Sequence, residues 1–270
     1  MPIIIIAADD RKTEEQIADQ VAGEKKYELL DRRDLNEIAA ACRTAAEKLA
    51  GVLETTPSVF KKMPLRQWRQ LLSCLEAGVL TRLLADNLVC CGLAAHLYVT
   101  DVSHAMKIRL LSGKKQRIAL LTGRGMSPEK AEKSLAAELA WRRKWSLAAF
   151  NVDETDLSGY DMVISLDQID PVEAVRTIIG ASEYRKFQAV TYSTKTLSDL
   201  ALAARVEAVL FKEMNNVRVQ ARDGAVVVST GALRHQKRKK VEAIKSLAGG
   251  IEGVSYVEVH VNRTLSKETA

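Results

Sequence analysis

Six consecutive positions near the N-terminus, Ile3-Ile4-Ile5-Ile6-Ala7-Ala8, carry only aliphatic side chains, and two aspartates follow at once. Successive side chains of a strand point to opposite faces, so a strand with one wet face alternates apolar and polar residues. This run does not alternate. Both of its faces must be buried, which happens where helices cover the two sides of a parallel sheet. The chain is therefore expected to be α/β, with helices following its strands. The run is too short to span a bilayer, which takes roughly 20 apolar residues. No basic segment precedes it, as one would in an export signal. With no stretch of that length elsewhere, the expectation is a cytoplasmic protein without a transmembrane segment.

The rest of the first two thirds keeps the same alternation. A helix is predicted from about Thr13 to Ala22, with Glu14 and Glu15 in its first turn, where the helix dipole favours acids. A short apolar segment ends at Leu30, just before Asp31-Arg32-Arg33, and the Ala-rich stretch Leu35–Leu53 reads as helical. Another helix is predicted to begin at Pro64, with a stripe at Leu65, Trp68, Leu71, Leu72, Leu75, Val79 and Leu83 that buries one face. Leu88–Cys91, His104–Leu111 and Asp161–Leu166 read as strands. Between and after them, Leu93–Leu97, Gly113–Leu121, Pro128–Ala149 and Pro171–Ile179 read as helical, the third of these capped by Ser127. Strands alternating with helices imply βαβ units and a mostly parallel sheet.

The polar stretch Tyr192-Ser193-Thr194 is taken as a domain boundary. Beyond it a helical stripe (Leu197, Leu200, Ala201, Ala204, Ala208, Phe211) leads to two strands around Asp223-Gly224, a hairpin turn signal. A basic helix, Arg234–Ala248, and an alternating strand at Val257, Val259 and Val261 follow. The expected organisation is an α/β domain over residues 1–192, a small α+β domain of order αββαβ over 193–263, and a loose tail, 264–270.

Hydrophobic residues make up 47% of the 270 and charged residues 27%, enough for a core in each domain. Aromatics are only 5%, so aliphatic residues must fill it. A net charge of +6 favours phosphate-bearing partners without indicating nucleic acid, and none is expected. Cys42, Cys74, Cys90 and Cys91 show no CxxC spacing and no histidine at ligand distance, so buried free thiols are expected and no metal site.

Several segments carry a resemblance. In order they are the opening strand and helix, YELLDRRDL (Tyr27–Leu35), NLVCCGLAAH (Asn87–His96), KIRLLSGKKQRI (Lys107–Ile118), the helix ending WRRKW (Trp141–Trp145), and YDMVISLDQI (Tyr160–Ile169). Together, from Ile3 to about Ile179, they resemble the cytidylate kinase-like family of P-loop nucleoside monophosphate kinases. That implies a P-loop kinase-like sheet flanked by helices and a site for ATP or another nucleotide with Mg²⁺. The remainder resembles a BON module through the helix at Val206 and Leu210, DGAVVVSTG (Asp223–Gly231) and GIEGVSYVEVHV (Gly250–Val261). Such modules are regarded as binding ligands or phospholipids.

The resemblance meets an obstacle at the first turn. A P-loop wraps phosphates with successive backbone N–H groups freed by glycines, while a lysine and a hydroxyl hold the terminal phosphate and Mg²⁺. Here the turn is Ala7-Ala8-Asp9-Asp10-Arg11-Lys12-Thr13, with no glycine and two acids. Lys12-Thr13 reads either as the remnant of the lysine-hydroxyl pair or as an ordinary helix start. Ser112-Gly113-Lys114-Lys115 has the setting of a phosphate loop, but Ile108 stands where its first glycine would be.

On the family's pattern, Asp31 and Arg32 fall on the aspartate-arginine turn, and Arg142 and Arg143 on the arginine-bearing lid helix. Leu93 takes the place of an anchoring arginine. Arg117 reads as a solvated helix face, Trp141 and Trp145 as packing, and His96 and His104 as packing or capping. Asp153, Glu154 and Asp156 read as a solvated acidic loop in preference to a metal site. The run Arg234, Lys237, Arg238, Lys239, Lys240 is a candidate surface for a protein partner, a small ligand or an anionic surface. The expected function is a non-catalytic regulatory or sensor protein, its kinase-like domain binding a nucleotide or partner and coupled to a ligand-binding module. An active cytidylate-type kinase and an adaptor acting through the basic helix are the alternatives.

Overall fold

The computed structural model describes residues 2–57 and 63–262; the predicted tail at 264–270 lies outside them. The chain divides into two compact units. The first holds the chain up to Asp34, Leu53–Thr56 and Ala85–Val190; the second holds Leu35–Val52, Pro57–Leu84 and the chain from Thr191 on.

The first unit is built on a five-stranded sheet of β1 (Ile3–Ala8), β2 (Glu28–Leu30), β3 (Leu88–Cys91), β4 (Ala105–Leu111) and β5 (Met162–Ser165), in the order β2-β3-β1-β4-β5. Every pairing is parallel, and β1 sits at the centre with Ile3 beside both Leu88 and Ala105. All six β1 residues are buried, as the unbroken aliphatic run requires. Burial of each isoleucine side chain stabilises by about 2 kcal/mol. Helix α1 (Arg11–Lys25) contributes Ile17, Ala18 and Val21 to the core around the sheet. After α5 (Ala95–Tyr98) and α6 (Lys114–Gly123), the long helix α7 (Pro128–Phe150) begins at Ser127, whose hydroxyl accepts from the Lys130 N–H, and α8 (Pro171–Ser182) is capped by a reciprocal capping box of Asp170 and Glu173.

The second unit holds α2 (Leu35–Cys42), α4 (Leu65–Leu83), α9 (Thr191–Glu213), β6 (Val217–Arg222), β7 (Ala225–Gly231), α10 (Lys237–Gly249) and β8 (Tyr256–Asn262). The predicted αββαβ order appears as α9-β6-β7-α10-β8. β6 and β7 are antiparallel about Asp223-Gly224, both at positive φ, and β8 runs parallel to β7 after the α10 crossover. The α4 stripe is buried apart from Leu65, with Trp68 fully enclosed, and α4 packs along α9.

Local departures have local causes. The helix expected over Leu35–Leu53 is broken at Arg43, whose φ of 56° ends α2 before α3 (Ala46–Glu54) begins. Pro64 is the cap of α4, not its first helical residue. Tyr192-Ser193-Thr194 forms the first turn of α9, and Arg234–Gln236 is a 3₁₀ turn ahead of α10. The thiol expectation is corrected for two residues. Cys42 and Cys74 form a disulfide, because α2 against α4 brings their Cα atoms to 6.1 Å across 32 residues of sequence. Cys90 and Cys91 remain free and buried, and burial first, with Cys91 and nearby acids adding to it, pushes the Cys90 thiol well above its usual value. No helix among the described residues is long and apolar enough to cross a membrane.

Candidate functional site

In an open parallel sheet, ligands bind beyond the carboxyl ends of the strands, where connections leave in opposite directions. Here that region is the end of β1 with β3 on one side and β4 on the other. Three acids from one short segment determine its chemistry. Asp10 caps α1, its carboxylate accepting from the Thr13 N–H and hydroxyl, both at 2.9 Å. Asp9 turns toward β4, where the Arg109 guanidinium donates to it at 2.5 Å and the Ser112 N–H at 3.3 Å. Glu14 points back across the end of the sheet. Its carboxylate accepts from the Gly92 N–H at 2.6 Å and the Ala8 N–H at 3.3 Å.

Glu14 is enclosed, and burial pushes its carboxyl up to about 7, against the two N–H groups and the charges of Arg142 and Arg109 that favour ionisation. Desolvation prevails because only the backbone donors touch the carboxylate directly. Arg142, from α7, donates to the Ala8 carbonyl at 2.9 Å and the Asp9 carbonyl at 3.2 Å, and lies 3.4 Å from Glu138. Glu138 also accepts from Arg117 at 2.7 Å, so Arg117 is an ion-paired side chain and not the solvated one expected.

Glu14, Arg32, Gly92, His96, Arg142 and Glu154 line a cavity of about 110 Å³. Burial lowers the His96 imidazole, keeping it neutral, and its Nε2 lies 3.4 Å from Glu154 with the ring stacked on Tyr160. Glu154 is thus buried, whereas Asp153 and Asp156 stay in local turns with Thr155 and Ser158. Leu93, where an arginine was expected on the family's pattern, is fully buried. Past Arg109 a larger groove of about 680 Å³ is lined by Ser112, Gly113, Lys114, Arg117, Leu135 and Leu139 among others. Its helix-start donor is occupied: the Gly113 N–H donates to Asp167 at 2.7 Å, and a Cβ on Gly113 would lie 1.7 Å from that carboxylate. Lys114 pairs with Glu132.

Of the six nucleotide-site candidates, the fold brings Arg32 and Arg142 to the cavity. Arg32 donates to the Gly92 carbonyl at 3.1 Å and to Glu54 at 2.6 Å. Lys12 is exposed, Thr13 serves the α1 cap, Asp31 holds the following turn by accepting from Arg33, and Arg143 pairs with Asp153 on an exposed face. On α10, Lys237, Arg238 and Lys239 are exposed, Arg238 lying 3.0 Å from Glu242. Lys240 instead donates to the Gly231 carbonyl at 2.8 Å, and the Arg234 side chain is outside those described. Sequence reasoning passed over Glu14, treated as one more first-turn acid, and over Arg109. The signal for Arg109 was available: a lone arginine inside an apolar strand needs a partner, and Asp9 was the nearest unexplained acid.

The model of the cytidylate kinase-like family matches residues 13–168. Among solved structures, a crystal structure of an uncharacterized protein from Eubacterium ventriosum ATCC 27560 matches at a TM-score of 0.50 and 16% identity. The match covers 68% of this chain and 99% of that one. No curated protein matches the chain. With more than half of its residues matched, from the first turn of α1 through β5, the chain belongs to the cytidylate kinase-like family.

Proposed function

We propose that the α/β unit is a non-catalytic, kinase-like regulatory domain whose phosphate positions are filled from within. The observation that carries this reading is the Glu14 carboxylate held by the Ala8 and Gly92 N–H groups at the end of β1. Phosphoryl transfer depends almost wholly on positioning the phosphates and neutralising their charge. Backbone donors already given to a fixed carboxylate offer neither. The same substitution recurs at Asp9 on Ser112 and at Asp167 on Gly113. ATP with Mg²⁺ does not fit these residues: Thr13, the one hydroxyl in the turn, is spent on Asp10, and acids stand where the triphosphate would lie.

The C-terminal αββαβ segment supports a BON-type ligand-binding module as the second half of the regulatory device. The exposure of Lys237, Arg238 and Lys239 favours one further reading, an adaptor that meets an acidic partner through α10.

The test pairs binding with turnover. Thermal-shift titration with ATP, ADP, CMP and inorganic phosphate, with and without Mg²⁺, is run beside a coupled ADP-release assay with CMP as acceptor. The wild-type chain is expected to release no ADP. Glu14→Ala, which frees both N–H groups, is expected at pH 8 to gain stabilisation by phosphate that the wild-type chain lacks at that pH. ADP release by the wild-type chain above background would overturn the proposal.

A further inference from the structure

The second unit contains a cavity that the kinase-like reading does not use. It measures about 380 Å³ and is walled by α2, α4 and α9, with Ile251 at one end. Its volume lies within the range of small-molecule pockets, about 300–1,000 Å³. The walls are hydrocarbon: Ile38 and Ala41 from α2, Ala77 from α4, Ala208 and Val209 from α9. Two features fix them. Gly78 lets α2 and α4 approach so closely that a Cβ there would stand 2.4 Å from the Ile38 Cγ2, and the Cys42–Cys74 disulfide clamps the same two helices.

The charges around this cavity are of one sign. Arg82, Arg205 and Lys212 line it against a single acid, Glu37, which is engaged by Arg82 at 2.6 Å. Thr81, the lining hydroxyl, is committed to the Ala77 carbonyl at 2.7 Å. Arg205 is different. Its Nη2 donates to the Glu252 carbonyl at 3.1 Å, but its Nε is buried and has no hydrogen-bond partner among the described residues. A buried guanidinium N–H without an acceptor is costly, and buried polar groups in folded proteins are seldom left so. That Nε is closed off from the cavity, so an anion there would meet the rest of the Arg205 guanidinium, and planar carboxylates match the guanidinium fork.

We propose that this cavity binds a single-chain amphipathic carboxylate of the fatty-acid type. The hydrocarbon tail lies between α2, α4 and α9, and the carboxylate meets Arg205, with Lys212 at the exposed rim. A compact polyanion would set its charge against the apolar walls, and a neutral hydrocarbon would leave the lining cations Arg205 and Lys212 without a counter-charge. The proposal concerns the second unit alone and does not depend on how the α/β unit functions.

Isothermal titration of the full-length chain with dodecanoate and with dodecan-1-ol tests it, beside sedimentation with vesicles of phosphatidylglycerol. Dodecanoate is expected to bind one molecule per chain, and dodecan-1-ol more weakly. Arg205→Gln should weaken dodecanoate at least tenfold while leaving the alcohol unchanged, and Arg205→Lys should recover part of the loss. Ala208→Phe, which fills the cavity, should abolish both, and Val209→Trp serves the same purpose at a half-buried position if the phenylalanine variant fails to fold. Absence of dodecanoate binding would overturn the proposal. So would binding that survives occlusion, an equal loss of acid and alcohol in Arg205→Gln, or capture by vesicles without binding of free dodecanoate.

Discussion

Replacing Glu14 with glutamine should make the α/β unit more stable at neutral and alkaline pH, although it removes the group at the centre of the site. The side chain keeps its length and its oxygen acceptor but loses a charge that the protein holds away from water. In the folded chain the carboxyl is raised from 4.5 to about 7. At 1.36 kcal/mol per pH unit, that difference corresponds to about 3 kcal/mol. The sign follows from proton binding. Between pH 4.5 and 7 the folded chain holds the Glu14 proton and the unfolded chain does not, so stability falls as pH rises through that window and levels off above it. Below pH 4.5 both states are protonated, and the neutral acid and the amide are near equivalents. The two proteins should therefore coincide near pH 4.5 and diverge to about 3 kcal/mol in favour of Glu14→Gln by pH 8.

Glu76 and Glu207, pushed up by burial to about 8 and about 7 in the second unit, slope the same way in both proteins, so only the difference between the two curves reports Glu14. Urea unfolding at several pH values, followed by tryptophan fluorescence in a Trp68→Phe background, measures it. Trp141 and Trp145 then report the α/β unit alone. Parallel pH profiles, or a variant less stable at pH 8, would show that the Glu14 carboxylate is not carried at a cost and would refute the reasoning.

Arg109→Met should destabilise the α/β unit by about 3–5 kcal/mol in the same assay, since Arg109 is 3% exposed and its removal leaves Asp9 without its cation. Adding Asp9→Asn should restore part of that loss in a double-mutant cycle. Gly78→Ala should cost about 1–3 kcal/mol in urea unfolding of the second unit, with Ile38→Ala relieving the clash at 2.4 Å. Charge reversal at Lys237, Arg238 and Lys239 should change stability by less than about 0.5 kcal/mol, because all three are exposed, while abolishing pull-down of any acidic partner that α10 engages.

What could be read from the sequence was what a single segment determines by itself. The aliphatic run at Ile3–Ala8 dictated a strand buried on both faces, and it is the central strand. The Asp223-Gly224 turn and the Ser127 cap appear where their backbone preferences placed them. The α4 stripe showed that one face is buried but not against what, because amphipathicity names a face and never the element it meets. The same blindness hid the disulfide: Cys42 and Cys74 have no informative spacing, and only the packing of α2 on α4 makes them neighbours. The site was legible by halves. The glycine-free turn was plain, and so were its acids. Their destinations were not, since Asp9 is answered from β4, a hundred residues away, and Glu14 by a backbone N–H of Gly92 just beyond β3.

Those destinations change what the missing glycines mean. A turn that had only lost its glycines would leave the ends of β1 and α1 with unused donors, and a buried unpaired N–H costs about 1–3 kcal/mol. Here four donors around the end of the sheet have an acceptor on the same chain: Ala8 and Gly92 have Glu14, Ser112 has Asp9, and Gly113 has Asp167. Arg142 and Arg109, the strong anion binders nearby, are bonded to the backbone carbonyls of Ala8 and Asp9 and to the Asp9 carboxylate. On the proposed reading, a phosphate entering this site has to displace a carboxylate that is already desolvated and hydrogen-bonded, beside the further acid Asp9. Glu14 is the weakest of these stoppers, because its carboxyl titrates near neutrality and a protonated acid gives up one of its two N–H bonds at little loss. If the domain admits an anion under any condition, it is at this position and on the acid side of pH 7. Phosphate stabilisation of the wild-type chain at pH 6 that vanishes at pH 8 would reveal it.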